Sequence, residues 1–329
     1  MNWSHKKVLV TGAGGFIGSH LCEALVELGA SVTAFVRYNG RDNWGNLEAL
    51  SPDKRANLEV LCGNVEDSRF VDGAVQGKDV VFHLAALIGI PYSYVAPGSY
   101  VRTNIEGTLN VLEAARRWST ERVVHTSTSE TYGTAIYAPI DEQHPLQAQS
   151  PYSATKIAAD KLCESYARSF DVPVSIIRPF NTFGPRQSAR AIIPCVISQA
   201  LVEKRIRIGA MTPVRDLNYV KDTVRGFLRV AEEPRTIGQV VNIGRGEGIT
   251  IGDLVDRILK LLGTELPIEQ EAERMRPEKS EVLKLICDNT RARQWLDWSP
   301  QYTLDAGLTE TINFVRETLA SFRTSKYAQ

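Results

Sequence analysis

Lys7-Val8-Leu9-Val10-Thr11-Gly12-Ala13-Gly14-Gly15-Phe16-Ile17-Gly18-Ser19-His20-Leu21 decides the fold of this chain. Val8 to Thr11 read as a buried strand, and the glycines at 12, 15 and 18 turn it directly into a helix. Glycines at that spacing let the backbone turn tightly and bring amide N–H groups up to an anion at the helix N-terminus, as a dinucleotide pyrophosphate requires. A glycine-rich turn alone is weak evidence. Lodged between a first strand and a helix, it points to a dinucleotide site formed by Gly12, Gly15, Phe16, Ile17 and Gly18.

Outward from this turn, β-rich runs at 7–11, 31–36, 58–62, 79–84, 122–126 and 174–178 alternate with helical spacing at 16–29, 67–76, 100–118 and 151–170. Such alternation implies an α/β chain with a doubly wound parallel sheet covered on both faces. After Arg178-Pro179 the texture changes to Asn181, Gly184, Pro185 and Pro194, with pieces that no longer alternate. The expected division is therefore a dinucleotide-binding domain over 1–180, to which about 217–245 returns, and a smaller α/β substrate domain over 181–329. Residues 238–244 read as a strand ending in a turn and 251–262 as an amphipathic helix. The polar tail 321–329 is expected to fray.

Composition narrows the function. The 329 residues are 43% apolar and 23% charged, and 38 Lys and Arg balance 38 Asp and Glu, so no global field steers the chain to nucleic acid or an anionic membrane. Five scattered cysteines without a C-x-x-C pair argue against a disulfide framework and a zinc site; no metal is expected. The N-terminus lacks the pattern of a signal peptide, and no apolar run approaches the roughly 20 residues needed to span a bilayer. The expectation is a reduced, cytoplasmic protein.

The second strand ends in Arg37-Tyr38-Asn39-Gly40-Arg41, where a carboxylate would read the ribose 2′-hydroxyl of NAD. Arg37 and Arg41 favour a 2′-phosphate and hence NADP, with solvated surface arginines as the alternative. Asn64 and Val65 are placed to flank the adenine. Further along, Glu130 in Ser127-Thr128-Ser129-Glu130-Thr131-Tyr132-Gly133 follows the fifth strand and should project from its carboxyl end, where open α/β sheets bind ligands. Tyr152 and Lys156 are four apart on a helix and share a face. An ammonium near a phenol lowers its pKa towards the range of a general base, and the Thr128 hydroxyl sits where it could share a sugar hydroxyl with Tyr152. A strand-end glutamate that pairs with a surface lysine remains the plainer reading of Glu130.

With Thr11 to Gly18, His83-Leu84-Ala85-Ala86, Ser127 to Gly133, Tyr152-x-x-x-Lys156, Arg178 to Arg186, Arg215 to Asp222 and Arg276-Pro277-Glu278, the chain resembles the extended short-chain dehydrogenase/reductases that act on nucleotide sugars. The resemblance runs over about residues 6–315. It implies a Rossmann-type fold, tightly bound and recycled NAD or NADP contacted also by Leu84, Ala85 and Ala86, and a homodimer formed through the helices at 100–118 and 151–170. It implies further that Thr128, Tyr152 and Lys156 oxidise the sugar at C4, with Lys156 holding the nicotinamide ribose. A glutamate at position 130 resembles the 4,6-dehydratases, in which it removes the C5 proton. Ser129 stands where dehydratases of dTDP-glucose have an aspartate that protonates the leaving 6-hydroxyl, so Glu130 itself, or Ser129 through a water, would supply that proton.

The same Thr-Ser-Glu order resembles GDP-mannose 4,6-dehydratases and UDP-glucuronate decarboxylases. The segments at 38–41, 185–190 and 276–282 are most similar to the 4,6-dehydratases of legionaminic acid pathways, which act on a nucleotide-linked N-acetylglucosamine in surface polysaccharide biosynthesis. A 4-epimerase or UDP-glucuronate decarboxylase is the alternative. A substrate diphosphate needs local cations and amides: Asn181, Arg190, Arg215 and Arg276 are the candidates, with Glu278 for a ribose hydroxyl. Any of these arginines could instead form a structural ion pair. His83 and His125 read as satisfied core histidines, and Trp295 and Trp298 as packing residues.

Overall fold

The computed structural model describes residues 1–321; the polar tail expected to fray, apart from its first residue, lies outside the described residues. The strands are β1 Lys7–Thr11, β2 Ser31–Arg37, β3 Leu58–Gly63, β4 Val80–His83, β5 Arg122–Thr126, β6 Val174–Pro179, β7 Asn181–Phe183, β8 Ile206–Ile208, β9 Val214–Tyr219, β10 Val240–Ile243, β11 Gly248–Thr250, β12 Ile268–Gln270 and β13 Lys284–Leu285. Seven of them form one parallel sheet in the order β10-β6-β5-β4-β1-β2-β3. The chain winds one way through β1, β2 and β3 and the other way through β4, β5 and β6. A crevice therefore opens at the carboxyl ends of β1 and β4, the switch point where such sheets hold ligands.

The apolar runs of the strands are continuous because both faces are covered. Val8 and Val10, Val80 and Phe82, and Val124 point to one face, where they pack with Leu21 and Leu25 of the helix Phe16–Glu27 and Phe227 of the helix Val220–Glu232. Leu9, Val81 and Val123 point to the other, against Val71 of Ser68–Val75, Val111 and Leu112 of Gly107–Arg117, and Cys163 of Pro151–Phe170. Each such side chain taken out of water contributes about 1.5–3 kcal/mol. The stretch 100–118 is not the uninterrupted helix its spacing suggests. Val101–Glu106 forms a wider π-type turn before the regular helix, and Asn104, buried in it, binds Leu87 on both backbone groups and donates to Thr155 Oγ1.

A smaller sheet, β11-β9-β13 with β7 paired to β9, stands beyond the carboxyl ends of the large one. Within 217–245, Leu217 to Tyr219 belong to this smaller sheet, whereas the helix Val220–Glu232 covers the large sheet and β10 extends its edge. Trp298 is buried and donates its indole N–H to the Asp222 carbonyl at 3.0 Å, and Trp295 packs against the same core, so both are packing residues. Among the described residues no helix is long and apolar enough to cross a membrane.

Candidate active site

Gly12 leaves β1 at φ +70°, and a Cβ there would come within 2.7 Å of the Ala85 nitrogen and 2.9 Å of the Leu84 carbonyl carbon. Only a glycine lets the turn press this closely on the end of β4. Gly15 precedes the helix Phe16–Glu27 without a side-chain cap, which leaves the first-turn amides of that helix for a ligand. This cradle fits a dinucleotide pyrophosphate. Behind it, Ala85 N–H donates to Thr11 Oγ1, whose hydroxyl donates to His83 Nδ1, while His83 Nε2–H donates to Thr108 Oγ1. Thr108 in turn donates to the Asn104 carbonyl, so both His83 nitrogens are served and His83 is the satisfied core histidine expected.

At the end of β2, Arg37 and Arg41 are exposed. Asn39 Oδ1 accepts from the Arg41 and Asn43 amides and shapes this loop. Val65 is buried, its carbonyl held by Asn110 at 2.9 Å; Asn64 beside it is exposed.

Glu130 does not project from the strand itself. It lies in the single 3-10 turn Ser129–Tyr132, capped by Thr128, whose Oγ1 accepts the Glu130 N–H at 3.3 Å. Ser129 is 2% exposed and Glu130 9%, so this carboxylate is no surface partner of a lysine. Opposite stands the helix Pro151–Phe170, started by a reciprocal Ser150–Ser153 capping box with Pro151 in its first turn. Tyr152 in that turn is buried, packed edge-on against Tyr100 at 6.3 Å. The Thr128 hydroxyl and the Glu130 carboxylate are both close enough to act on its phenol.

The electrostatics differ from the expected lowering of the phenol pKa. Burial raises Tyr152 well above its ordinary value, the Thr128 hydroxyl pulls it back, and the carboxylates of Glu130 and Asp160 raise it further. Lys156 points inward: its Nζ lies 3.5 Å from His125 Nε2, and burial lowers its pKa against the opposing charge of Asp160. Asp160 is fully buried and takes Arg178 Nη2–H and the Ser127 hydroxyl on one oxygen, each at 2.6 Å. Burial would raise its carboxyl, but Arg178, then His125 and Lys156, hold it well below the carboxylate range. The Arg178 guanidinium also stands 4.6 Å over the Tyr132 ring and donates to Ser127 Oγ. His125 is therefore not the satisfied core histidine expected: it lies between a cation and an anion, and its Nδ1 has no partner.

β9 brings the cations. Arg215 is 7% exposed, burial lowers its pKa, and the first charge opposing that shift is Glu130. Its Nη2 lies 3.1 Å from Glu281 Oε1, and Arg276 Nη1 lies 3.7 Å from the same oxygen. Asn181, in β7 against Leu217 of β9, has a buried Oδ1 without a hydrogen-bond partner. Arg190 is exposed, and its charge acts on Tyr100 beside Tyr152. Glu278 is exposed at the start of the short turn Glu278–Ser280, which is fastened by Ser280 Oγ to the Gln149 carbonyl and Tyr94 Oη, each at 2.5 Å.

The fold thus gathers Thr128, Glu130, Tyr152 and Arg215 in one place, with Lys156 behind them and Arg276 linked through Glu281. Sequence reasoning missed Asp160 and Glu281. Asp160 repeats the four-residue step from Tyr152 through Lys156, the one signal that places it on the same helix face.

A family model described as GDP-mannose 4,6 dehydratase matches residues 9–311. The chain belongs to this family. Its members among the extended short-chain dehydrogenase/reductases include both dehydratases and epimerases of nucleotide sugars. An uncharacterized UDP-glucose epimerase, YtcB of Bacillus subtilis, is 34% identical over 94% of this chain and 98% of its own. Among solved structures, the dTDP-glucose 4,6-dehydratase DesIV of Streptomyces venezuelae, with NAD bound, is 28% identical at a TM-score of 0.88, covering 97% of this chain and 99% of that one. The UDP-glucuronic acid 4-epimerase of Bacillus cereus, in complex with UDP-glucuronic acid and NAD, is 31% identical at a TM-score of 0.87 and covers 95% and 99%. The nucleotide-sugar epimerase/dehydratase family accounts for the whole large sheet and its glycine turn.

Proposed function

We propose that this enzyme is a nucleotide-sugar 4,6-dehydratase, converting a nucleotide-linked N-acetylglucosamine to its 4-keto-6-deoxy derivative. Glu130 carries the reading: a buried carboxylate whose charge reaches Tyr152 is what a second proton transfer, at carbon, requires. A cofactor held at the glycine turn supplies the hydride acceptor at C4 and the hydride donor at C6. Tyr152 takes the proton of the 4-hydroxyl, which Thr128 orients, and Lys156 holds the nicotinamide ribose. The 4-keto group acidifies C5–H, Glu130 removes that proton, the 6-hydroxyl leaves as water with a proton from Glu130, or from Ser129 and a water, and C5 takes up a proton from solvent as C6 is reduced.

Residues from 181 onward, apart from the segment at about 217–245 that returns largely to the large sheet, form the nucleotide-sugar part, with Asn181, Arg190, Arg215 and Arg276 on the diphosphate and Glu278 on the ribose. We propose NAD as the cofactor, as in DesIV and the Bacillus cereus epimerase. The exposed Arg37 and Arg41 support NADP, and comparing the two affinities tests them. A homodimer through the helices around 100–118 and 151–170 belongs to the same reading.

The second reading, a 4-epimerase or decarboxylase of a UDP-uronic acid, draws support from Arg215: a guanidinium beside Glu130 suits a substrate carboxylate. Incubation with UDP- and GDP-linked N-acetylglucosamine, UDP-glucuronate and GDP-mannose separates the two by mass. Loss of water supports the dehydratase, loss of carbon dioxide the decarboxylase, and an isomer of unchanged mass the epimerase.

A further inference from the structure

The reaction outlined above makes no use of His125 or Asp160, yet both are buried to 1% exposure or less beneath the candidate site. Burying a carboxylate is costly unless it is paired, and Asp160 is fastened on one oxygen by Arg178 and Ser127. Its other oxygen, Oδ1, has no hydrogen-bond partner and faces His125 Nε2 at 3.4 Å. The same nitrogen faces the Lys156 ammonium at 3.5 Å. Burial, and Lys156 after it, push the imidazole down to about 4, so the ring is neutral at physiological pH and Nε2 can act as an acceptor. With Nε2 turned to the ammonium as an acceptor, the fixed Asp160 carboxylate beside it acts on Lys156 through its charge.

We infer that His125 and Asp160 are positioning residues for Lys156. His125 Nε2 accepts a hydrogen bond from the ammonium, and Asp160, clamped by Arg178 and Ser127, favours the charged form of Lys156. The remaining titratable neighbours are His83, whose ring lies 5.6 Å from that of His125, and Cys163, which acts on Lys156; burial keeps the first neutral and the second a thiol. The arrangement makes Lys156 a rigid donor rather than a long, mobile side chain, which is what a group that must hold a ribose and act on a phenol needs.

The inference rests on the assignment of Lys156 to the nicotinamide ribose, and its test uses no sugar, so it stands apart from the question of substrate. His125→Leu and His125→Met remove the acceptor while keeping an apolar filling, and either folded variant serves; His125→Gln keeps an acceptor. NAD affinity is measured by titration for each, alone and combined with Lys156→Met. The Leu or Met variant is expected to bind NAD about tenfold more weakly, His125→Gln to recover most of that loss, and the Leu or Met change to add nothing once Lys156 is Met. Equal losses in the Leu, Met and Gln variants, or a His125 effect that persists in full beside Lys156→Met, would show a packing role and overturn the inference. So would unchanged NAD binding in a folded Leu or Met variant.

Discussion

Glu130 and Tyr152 face the same space with opposite demands. In the proposed reaction Tyr152 gives up a proton while burial and two nearby carboxylates raise its pKa, so the phenol needs the Thr128 hydroxyl and a cation when the site is occupied. Glu130→Gln keeps the shape of the turn and removes the base. With substrate deuterated at C4, transfer of the label to the cofactor is expected to survive in this variant while water release falls by about 100-fold or more. Water release at the native rate would remove Glu130 from its role. The position of Glu130 was legible in the sequence, because an acid just past a buried strand lands at the ligand edge of an α/β sheet. Its mounting was not, since a four-residue turn leaves no periodicity. Asp160 escaped for another reason: a carboxylate one turn beyond a lysine ordinarily marks a solvated helix face, and its burial depends on Arg178 arriving from β6.

The helix that carries Tyr152 and Lys156 shows what local signals can achieve. Its bounds, Pro151–Phe170, coincide with the stretch read from apolar spacing, because Ser150 caps it and Pro151 opens it. Tyr152 sits inside the first turn, so the cap that starts the helix also aims the phenol. Ser150→Ala is expected to cost about 1 kcal/mol of stability and to lower kcat more than it weakens NAD binding, since Lys156 lies a turn deeper. A melting curve with steady-state kinetics checks this; equal effects on both would mean the first turn does not fray. The helix read at 100–118 departs from its pattern for a tertiary reason. Asn104 must reach both Leu87 and Thr155, and the widened turn Val101–Glu106 accommodates that contact without a trace in the apolar spacing.

At the scale of the molecule, two features couple distant parts. The turn Glu278–Ser280 carries Arg276 and Glu281 on its flanks and is fastened to the cofactor half by Ser280 through Tyr94 and Gln149, and by Gln149 Nε2 donating to the Lys279 carbonyl. Ser280→Ala removes both bonds and is expected to weaken UDP or GDP binding about fivefold to tenfold, with NAD affinity unchanged, by calorimetry. The second coupling is to pH. His20 and His125 are held at about 4 by burial and by Arg186 and Lys156 respectively, and His83 lies well below its ordinary value. These groups are near 6.5 in an unfolded chain, which therefore takes up their protons first as pH falls. Stability is expected to drop from about pH 6.5 towards 4, by roughly 3 kcal/mol for each of the first two. Asp216, raised to about 6 by burial, offsets part of this below that pH. Thermal melts between about pH 7 and 4.5 read the sum, and a flat profile would show that these histidines are hydrated.

The large sheet itself was legible from alternating strands and helices, but its last strand was less so, because β10 returns to it from far along the chain. That return orders events during synthesis. A ribosome that has released residues 1–180 has delivered Thr128, Glu130, Tyr152 and Lys156, yet β6 still presents an unpaired edge rich in Val174, Ile176 and Ile177 until Val240–Ile243 emerges and pairs with it. A fragment ending at 180 would carry those four residues without Arg215 beside Glu130, and with the β6 edge bare.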